Sequence, residues 1–520
     1  MKILLLSMPD VMPQFPPHAW RPPNLACGLV AANMPSSHEA LVADLMLKRD
    51  DIPGAVRDAM AEVKPRLVGL SSMSFQWDTA RRVARMVKEI DPDVKIALGG
   101  YHATLMAEEF AGGDESGDLD FMVRAEGDFT LGEVAEALEG RGRLADVKGL
   151  TWRDADGSWR HNPPRGLTDL ATIEMPRRSA RIWSGYGYYN RGLDVLETSR
   201  GCTMPCKFCS MFHMYGRTFR PYAIDRVVRD VADAKRGGVR AIAWADDNIT
   251  LDTERMTELC KAITRAGHDD VFYITQASCA GIAKSEDLVK AMDEANWRIV
   301  FLGIENVSER NLRAMKKPNI VPTIQKAIEL LHKHNILIVG GMILGLADDD
   351  EEAIAQNFEF FDSHDIDFYG DQIVTPYPKT EMRDDIMSAG LVTNPNDLKW
   401  YNGYWANVRT YNLSSEELLF LRWKYRRKYS TFFKTTPVFR KTFPGITLFR
   451  DVWLRPWRRW KMRREERRLT EREIFENEML YHIRNNCFFP DQDPAAYRAE
   501  QKAWGEIPAP PRDAAAVTAG

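Results

Sequence analysis

Three of the seven cysteines in the chain lie together in the run Thr198-Ser199-Arg200-Gly201-Cys202-Thr203-Met204-Pro205-Cys206-Lys207-Phe208-Cys209. The spacing C-x-x-x-C-x-x-C places three thiolates on one short loop. That is enough to hold three irons of a cubane cluster, and no fourth cysteine follows closely enough to complete an ordinary electron-transfer site. One iron is left open, able to bind a molecule by its amino and carboxylate groups and to pass an electron into it. A structural zinc site needs a second ligand pair, but Cys27, Cys260, Cys279 and Cys487 are scattered singly. A disulfide framework does not suit seven cysteines in a long chain without a signal peptide. The four lone cysteines read as buried small hydrophobes.

The elements that must position this loop are legible on both sides of it. The chain opens with Lys2-Ile3-Leu4-Leu5-Leu6-Ser7-Met8-Pro9, and further apolar runs follow at 40–45, 67–73, 95–100 and 121–123. Short apolar runs stopped by turn residues predict buried parallel strands. The clearest intervening helix carries Trp77, Ala80, Val83, Met86, Val87 and Ile90 on one face. Strand and helix in alternation predict an α/β fold, a doubly wound parallel sheet of Rossmann or flavodoxin-like type over 1–140, with any ligand at the carboxyl ends of the strands. Those ends carry Ser71-Ser72, Gly99-Gly100 and Glu126-Gly127, small residues that let a bulky ligand approach the backbone.

Residues 141–190 read as a linker holding a small hairpin around Asp156-Gly157. A second alternation over 191–385 predicts strands at 193–197, 241–244, 272–275, 299–303 and 336–339. The region 386–505 reads as helical, beginning with the apolar face of Leu418, Leu419, Leu421, Arg422, Tyr425 and Tyr429. Within it, 442–469 interleaves Trp453, Trp457 and Trp460 with Arg455, Arg458, Arg459, Arg463 and Arg464. That composition suits either a solvated helical cap or contact with an anionic membrane surface. The Pro- and Ala-rich tail over 506–520 is expected to be disordered.

The cysteine run, with Phe208 ahead of its last cysteine, resembles the signature loop of the radical S-adenosylmethionine (radical SAM) enzymes. Gly99-Gly100-Tyr101-His102-Ala103-Thr104 and Val123-Arg124-Ala125-Glu126-Gly127-Asp128 resemble the cobalamin-binding domain joined to many of them. The likeness implies a partial (β/α)6 barrel after the first domain, and three cofactors: a [4Fe-4S] cluster, S-adenosylmethionine and cobalamin. It assigns the cluster to Cys202, Cys206 and Cys209, and S-adenosylmethionine to Phe208, Asp246, Asp247, Asn248, Glu305, Gly341 and Gly345. Cobalamin falls to Ser71, Ser72, Gly99, Gly100, Glu126 and Gly127. Two departures stand out. The D-x-H-x-x-G run that supplies an axial histidine to cobalt elsewhere is absent, leaving His102 as the one substitute, and Thr375-Pro376-Tyr377-Pro378-Lys379-Thr380 has Lys379 where the family's P-x-P-G-T strand has glycine.

The resemblance implies reductive cleavage of S-adenosylmethionine to a 5'-deoxyadenosyl radical and, with cobalamin opposite, methylation of an unactivated carbon. A non-methylating cyclase like the anaerobic magnesium-protoporphyrin monomethyl ester cyclase is the alternative of the same build, and a cobalamin or iron-sulfur sensor is the non-enzymatic one. The implied partners are a small, apolar substrate and a reductant such as flavodoxin or ferredoxin. At 520 residues two or three domains are expected. The net charge of -4 gives no global case for nucleic acid. No apolar run reaches the ~20 residues that span a bilayer, so a cytoplasmic protein, at most peripheral to the membrane, is expected.

Overall fold

The computed structural model describes residues 1–13, 19–110, 117–317, 320–429, 436–442 and 468–507. The first sheet has the strand order β3-β1-β4-β5-β6-β7-β8. Its strands are β1 (Lys2–Ser7), β3 (Glu39–Asp44), β4 (Leu67–Ser71), β5 (Lys95–Gly99), β6 (Phe121–Val123), β7 (Leu150–Arg153) and β8 (Trp159–His161). The first five are parallel. Strand alternation divides the apolar runs between two cores: Leu4, Leu6, Val68 and Leu70 face one layer of helices, and Ile3, Leu5, Leu67 and Ala97 face the other. Each fully buried Leu or Val contributes about 1.5–3 kcal/mol through apolar burial.

The helix Trp77–Ile90 buries Trp77, Ala80, Val83 and Val87 as its periodicity predicts. Ile90, at its last turn, projects past the sheet and is exposed. The hairpin expected in a linker is present, but it is not a connector. β7 pairs antiparallel with β6 and β8 with β7, so the hairpin closes the edge of the first sheet. Pairing decides this, and hairpin composition carries no information about which edge will accept it.

The second sheet has the order β17-β16-β15-β14-β13-β10-β9-β2. Its six parallel strands are β10 (Arg191–Leu196), β13 (Ala241–Trp244), β14 (Phe272–Ser278), β15 (Trp297–Glu305), β16 (Leu337–Leu344) and β17 (Phe368–Ile373). β9 (Gly187–Tyr188) and β2 (Trp20–Arg21) extend the β10 edge antiparallel, so a segment from the first domain completes the second sheet. A two-residue ribbon, β11 (Ser199–Arg200) with β12 (Arg220–Pro221), brackets the cysteine loop.

The helix Ser415–Tyr429 packs Leu418 against Gly345 and buries Arg422, which donates to Asp371 Oδ2 at 2.7 Å and to Tyr404 O at 2.6 Å. The C-terminal region also reaches the first domain, where Asn486 Nδ2 donates to Val11 O at 2.9 Å. Most of the basic aromatic stretch at 442–469 and the tail from 508 onward lie outside the described residues. No helix of the described residues is long and apolar enough to cross a membrane.

Candidate cofactor sites

In the first sheet the chain passes from β1 to β3 on one side and to β4 on the other, so the carboxyl ends of β1 and β4 flank a switch point where a doubly wound sheet takes its ligand. A cavity of about 470 Å3 opens there. Ser7 and Ser71 end the two strands, and Asn24 Nδ2 donates to both hydroxyls at 3.1 Å while Asn24 Oδ1 caps the helix Leu25–Ala32. The cavity floor is apolar, with Leu5, Leu70, Val123 and Leu131 among its lining. Asp44 also lines it; burial pushes its carboxyl up to about 7.

All six residues assigned to cobalamin line this cavity: Ser71, Ser72, Gly99, Gly100, Glu126 and Gly127. Gly100 has φ of +93°, and a Cβ there would stand 2.7 Å from the Ser72 carbonyl oxygen, so only glycine fits the turn. Glu126 forms wall but its carboxylate is engaged: it accepts from Arg200 Nη1 at 3.0 Å, Arg220 Nη2 at 2.7 Å and Thr168 N–H at 2.8 Å. His102 is fully buried, stacked on Trp77 at 4.8 Å, and does not line the cavity.

The cavity continues to Glu197, Arg200, Met214, Tyr215 and Ala245, all beyond the start of β10. Tyr101, which follows Gly100, lies on this seam. Burial raises its phenol well above the usual range, with Tyr215, Asp247 and Cys209 adding to the shift. The two sites therefore adjoin, with Tyr101 from one side and Tyr215 from the other as neutral phenols between them.

Cys202, Cys206 and Cys209 follow β11, the first two buried and the third half-buried. Burial pushes Cys209 up to about 11 and raises the other two, the thiols of Cys202 and Cys206 both acting on Cys209. Among the described residues no group of three or more His, Cys, Asp or Glu converges on a single ion. Three thiols on one loop are nevertheless the donor chemistry that a cubane cluster takes. Cys279, fully buried, donates its thiol to Gly303 O.

Of the residues assigned to S-adenosylmethionine, Phe208 packs at the edge of the second core. Asp246 accepts from Thr198 N–H at 2.9 Å, Thr198 Oγ1 at 2.6 Å and Ser199 Oγ at 2.5 Å, which ties β13 to β11. Asn248 Oδ1 accepts from Thr250 and Ser278. Asp247 differs: it is half-buried, its carboxylate accepts from Gly201 N–H at 3.1 Å, and burial lifts its carboxyl to about 6. Glu305 pairs with Lys317 at 2.7 Å, Gly341 lies in β16 beside Phe301, and Gly345 sits under Leu418. Lys379 takes φ of +62°, the left-handed conformation that glycine would adopt there, and His213 Nε2 is 2.7 Å from its carbonyl. The lysine thus keeps the backbone shape of the glycine it replaces.

Comparison with protein families matches residues 23–135 to the B12 binding domain and residues 196–361 to the radical SAM superfamily. It is a radical SAM protein with a B12 binding domain. The B12 binding domain is the first sheet with its helices and carries the switch-point cavity; the radical SAM domain is the six parallel strands and carries the cysteine loop. An uncharacterized methyltransferase of Pyrococcus horikoshii is 27% identical over 73% of this chain and 81% of its own. The anaerobic magnesium-protoporphyrin IX monomethyl ester cyclase of Rubrivivax gelatinosus is 25% identical over 63% of this chain and 59% of its own. The solved structure of the radical S-adenosylmethionine methyltransferase TsrM from Kitasatospora setae, with cobalamin and [4Fe-4S] cluster bound, shares the fold with a TM-score of 0.62 at 20% identity, covering 76% of each chain.

The radical SAM protein's cofactors are a [4Fe-4S] cluster, S-adenosylmethionine and cobalamin. Residues the sequence left unassigned include Arg200, Asn24, Tyr101 and Tyr215. Asn24 had a readable signal, since an Asn after Pro22-Pro23 and ahead of an apolar helix is an N-cap. Arg200 carried none, because its carboxylate partners lie far away in sequence.

Proposed function

We propose that this radical SAM protein methylates an unactivated carbon of a small, largely apolar molecule. The observation that carries the reading is the shared wall: one cavity is lined by Gly99, Gly100 and Glu126 of the B12 binding domain and by Arg200 and Tyr215 of the radical SAM domain. A methyl donor in that cavity would face a radical formed beside the cysteine loop. When bound, the cofactors supply the radical and the methyl group. The chain's own residues do the rest.

Cys202, Cys206 and Cys209 would hold the cluster, and Asp247, whose carboxylate is more available than that of Asp246, would hold the amino group of S-adenosylmethionine. Asp246 and Asn248 act one step back by fixing the backbone around it. Tyr101 and Tyr215 would screen the seam from water and offer phenol O–H groups to the substrate. A cyclase reading is supported by the likeness to the magnesium-protoporphyrin enzyme.

The test is anaerobic incubation of the reconstituted protein with hydroxocobalamin, S-adenosylmethionine and dithionite. Formation of 5'-deoxyadenosine together with S-adenosylhomocysteine supports methylation, and 5'-deoxyadenosine alone favours the cyclase reading. Neither product from the wild type would sink both, and the Cys202→Ala/Cys206→Ala/Cys209→Ala variant should yield neither.

A further inference from the structure

Lys316 and Lys317 are adjacent in sequence and opposite in surroundings. The helix Glu309–Ala314 ends at Met315; Lys316 then takes φ of +52°, and Lys317 N–H donates back to Leu312 O at 2.9 Å. This left-handed closure is a common way to stop a helix, and it turns the chain sharply. Lys316 is left at the surface, 2.6 Å from Glu381, while the side chain of Lys317 is turned inward and is 13% exposed. Lys207 N–H, between Cys206 and Cys209, donates to Met315 O at 3.0 Å and so fastens this turn to the cysteine loop.

Inside, Lys317 Nζ donates to Glu305 Oε1 at 2.7 Å. The pair lies over Gly303, where a Cβ would stand 2.9 Å from Nζ. A buried cation therefore sits just beyond the turn that Lys207 N–H fastens to the cysteine loop.

We propose that Lys317 is a positioning residue that sets the reduction potential of the cluster, with Glu305 as the carboxylate that attenuates it. This rests on the cluster reading of Cys202, Cys206 and Cys209. A four-iron core held by three thiolates is anionic before reduction and more so after it. The reduction adds one electron from a low-potential external donor, with no bond made or broken in the chain. A fixed positive charge in a poorly screened interior favours the more anionic state. Lys317 would thus make the electron easier to accept, and Glu305 would hold the effect in check.

The experiment is an EPR-monitored redox titration, with dithionite as donor, of the full-length protein reconstituted anaerobically with iron and sulfide. Lys317→Met should shift the midpoint to more negative potential, Lys317→Arg should return it to the wild-type value, and Glu305→Gln should shift it the other way. Iron and sulfide contents are measured on the same samples. Unshifted midpoints in Lys317→Met and Glu305→Gln overturn the proposal, as does a loss of iron in Lys317→Met whose remaining clusters keep the wild-type midpoint. If Lys317→Met does not fold, the direction of the Glu305→Gln shift decides. A wild type without any four-iron signal overturns the cluster reading itself, which the iron analysis distinguishes from failure of the Lys317 assignment.

Discussion

Arg200 Nη1 lies 2.8 Å from Asp128 Oδ2 and 3.0 Å from Glu126 Oε1, so one guanidinium joins the loop that carries the cysteines to the loop that walls the switch-point cavity. Its Nη2 also reaches Glu197 at 2.9 Å, and Tyr222 donates to the same carboxylate at 2.5 Å. The B12 binding domain and the radical SAM domain are thereby joined by a buried, charged clamp.

Removing that clamp should be costly. Arg200→Gln leaves Glu126, Asp128 and Glu197 buried with one guanidinium fewer, and breaking a buried pair from one side costs about 3–5 kcal/mol. A lower thermal midpoint is expected, with Arg200→Lys recovering only part, because an ammonium cannot serve two carboxylates in the planar fork geometry of arginine. Equal midpoints for wild type and Arg200→Gln would show that the clamp is energetically idle.

Two adjacent glycines should respond differently. At Gly99 a Cβ would meet nothing closer than Leu70 O at 3.9 Å, so Gly99→Leu can fill the cavity without disturbing the strand. Hydroxocobalamin titration should show affinity weakened by at least roughly tenfold, with iron content unchanged. Gly100→Ala, in contrast, meets the Ser72 carbonyl and is forced into a left-handed conformation costing about 1–2 kcal/mol. Its main effect should be on unfolding rather than on occlusion of the cavity.

His102 should not ligate cobalt. It is buried on Trp77, and no histidine is among the residues lining the cavity. The EPR spectrum of the protein loaded with cob(II)alamin should be the same with natural and with 15N-labelled histidine. Any change in nitrogen hyperfine structure on labelling would place an imidazole on the metal and contradict the fold described here.

Stability should fall as pH rises through neutrality. Burial lifts the Asp10 carboxyl from 3.8 to about 7, against the lowering effect of its bond from Thr79 Oγ1 at 2.8 Å. An acid raised in the folded state keeps its proton there while the unfolded chain has released it. Its stabilising contribution is therefore present below about pH 4 and lost as pH climbs through 7, at up to about 1.4 kcal/mol per pH unit. Thermal midpoints measured from pH 5 to pH 8 should decline for the wild type. Asp10→Asn should remove part of that slope, with Asp44, also lifted to about 7, supplying a further part.

The sequence by itself determined the strand and helix alternation, the carboxyl-end location of Ser71, Gly99 and Gly100, and the cysteine loop, because these follow from local periodicity and from short spacings along one segment. It also pointed to Glu126 and Asp246 as candidate site residues without revealing what their oxygens touch. Tertiary structure alone decided that the 150–161 hairpin belongs to the first sheet and that Trp20 belongs to the second. It also turned Glu126 toward Arg200 and Arg220, left Asp247 as the available member of its trio, and buried Lys317 while exposing Lys316. Each of these depends on partners far apart in the chain. A carboxylate's neighbours, and hence its charge state and role, are set by packing across domains, and no periodicity in the sequence encodes that distance.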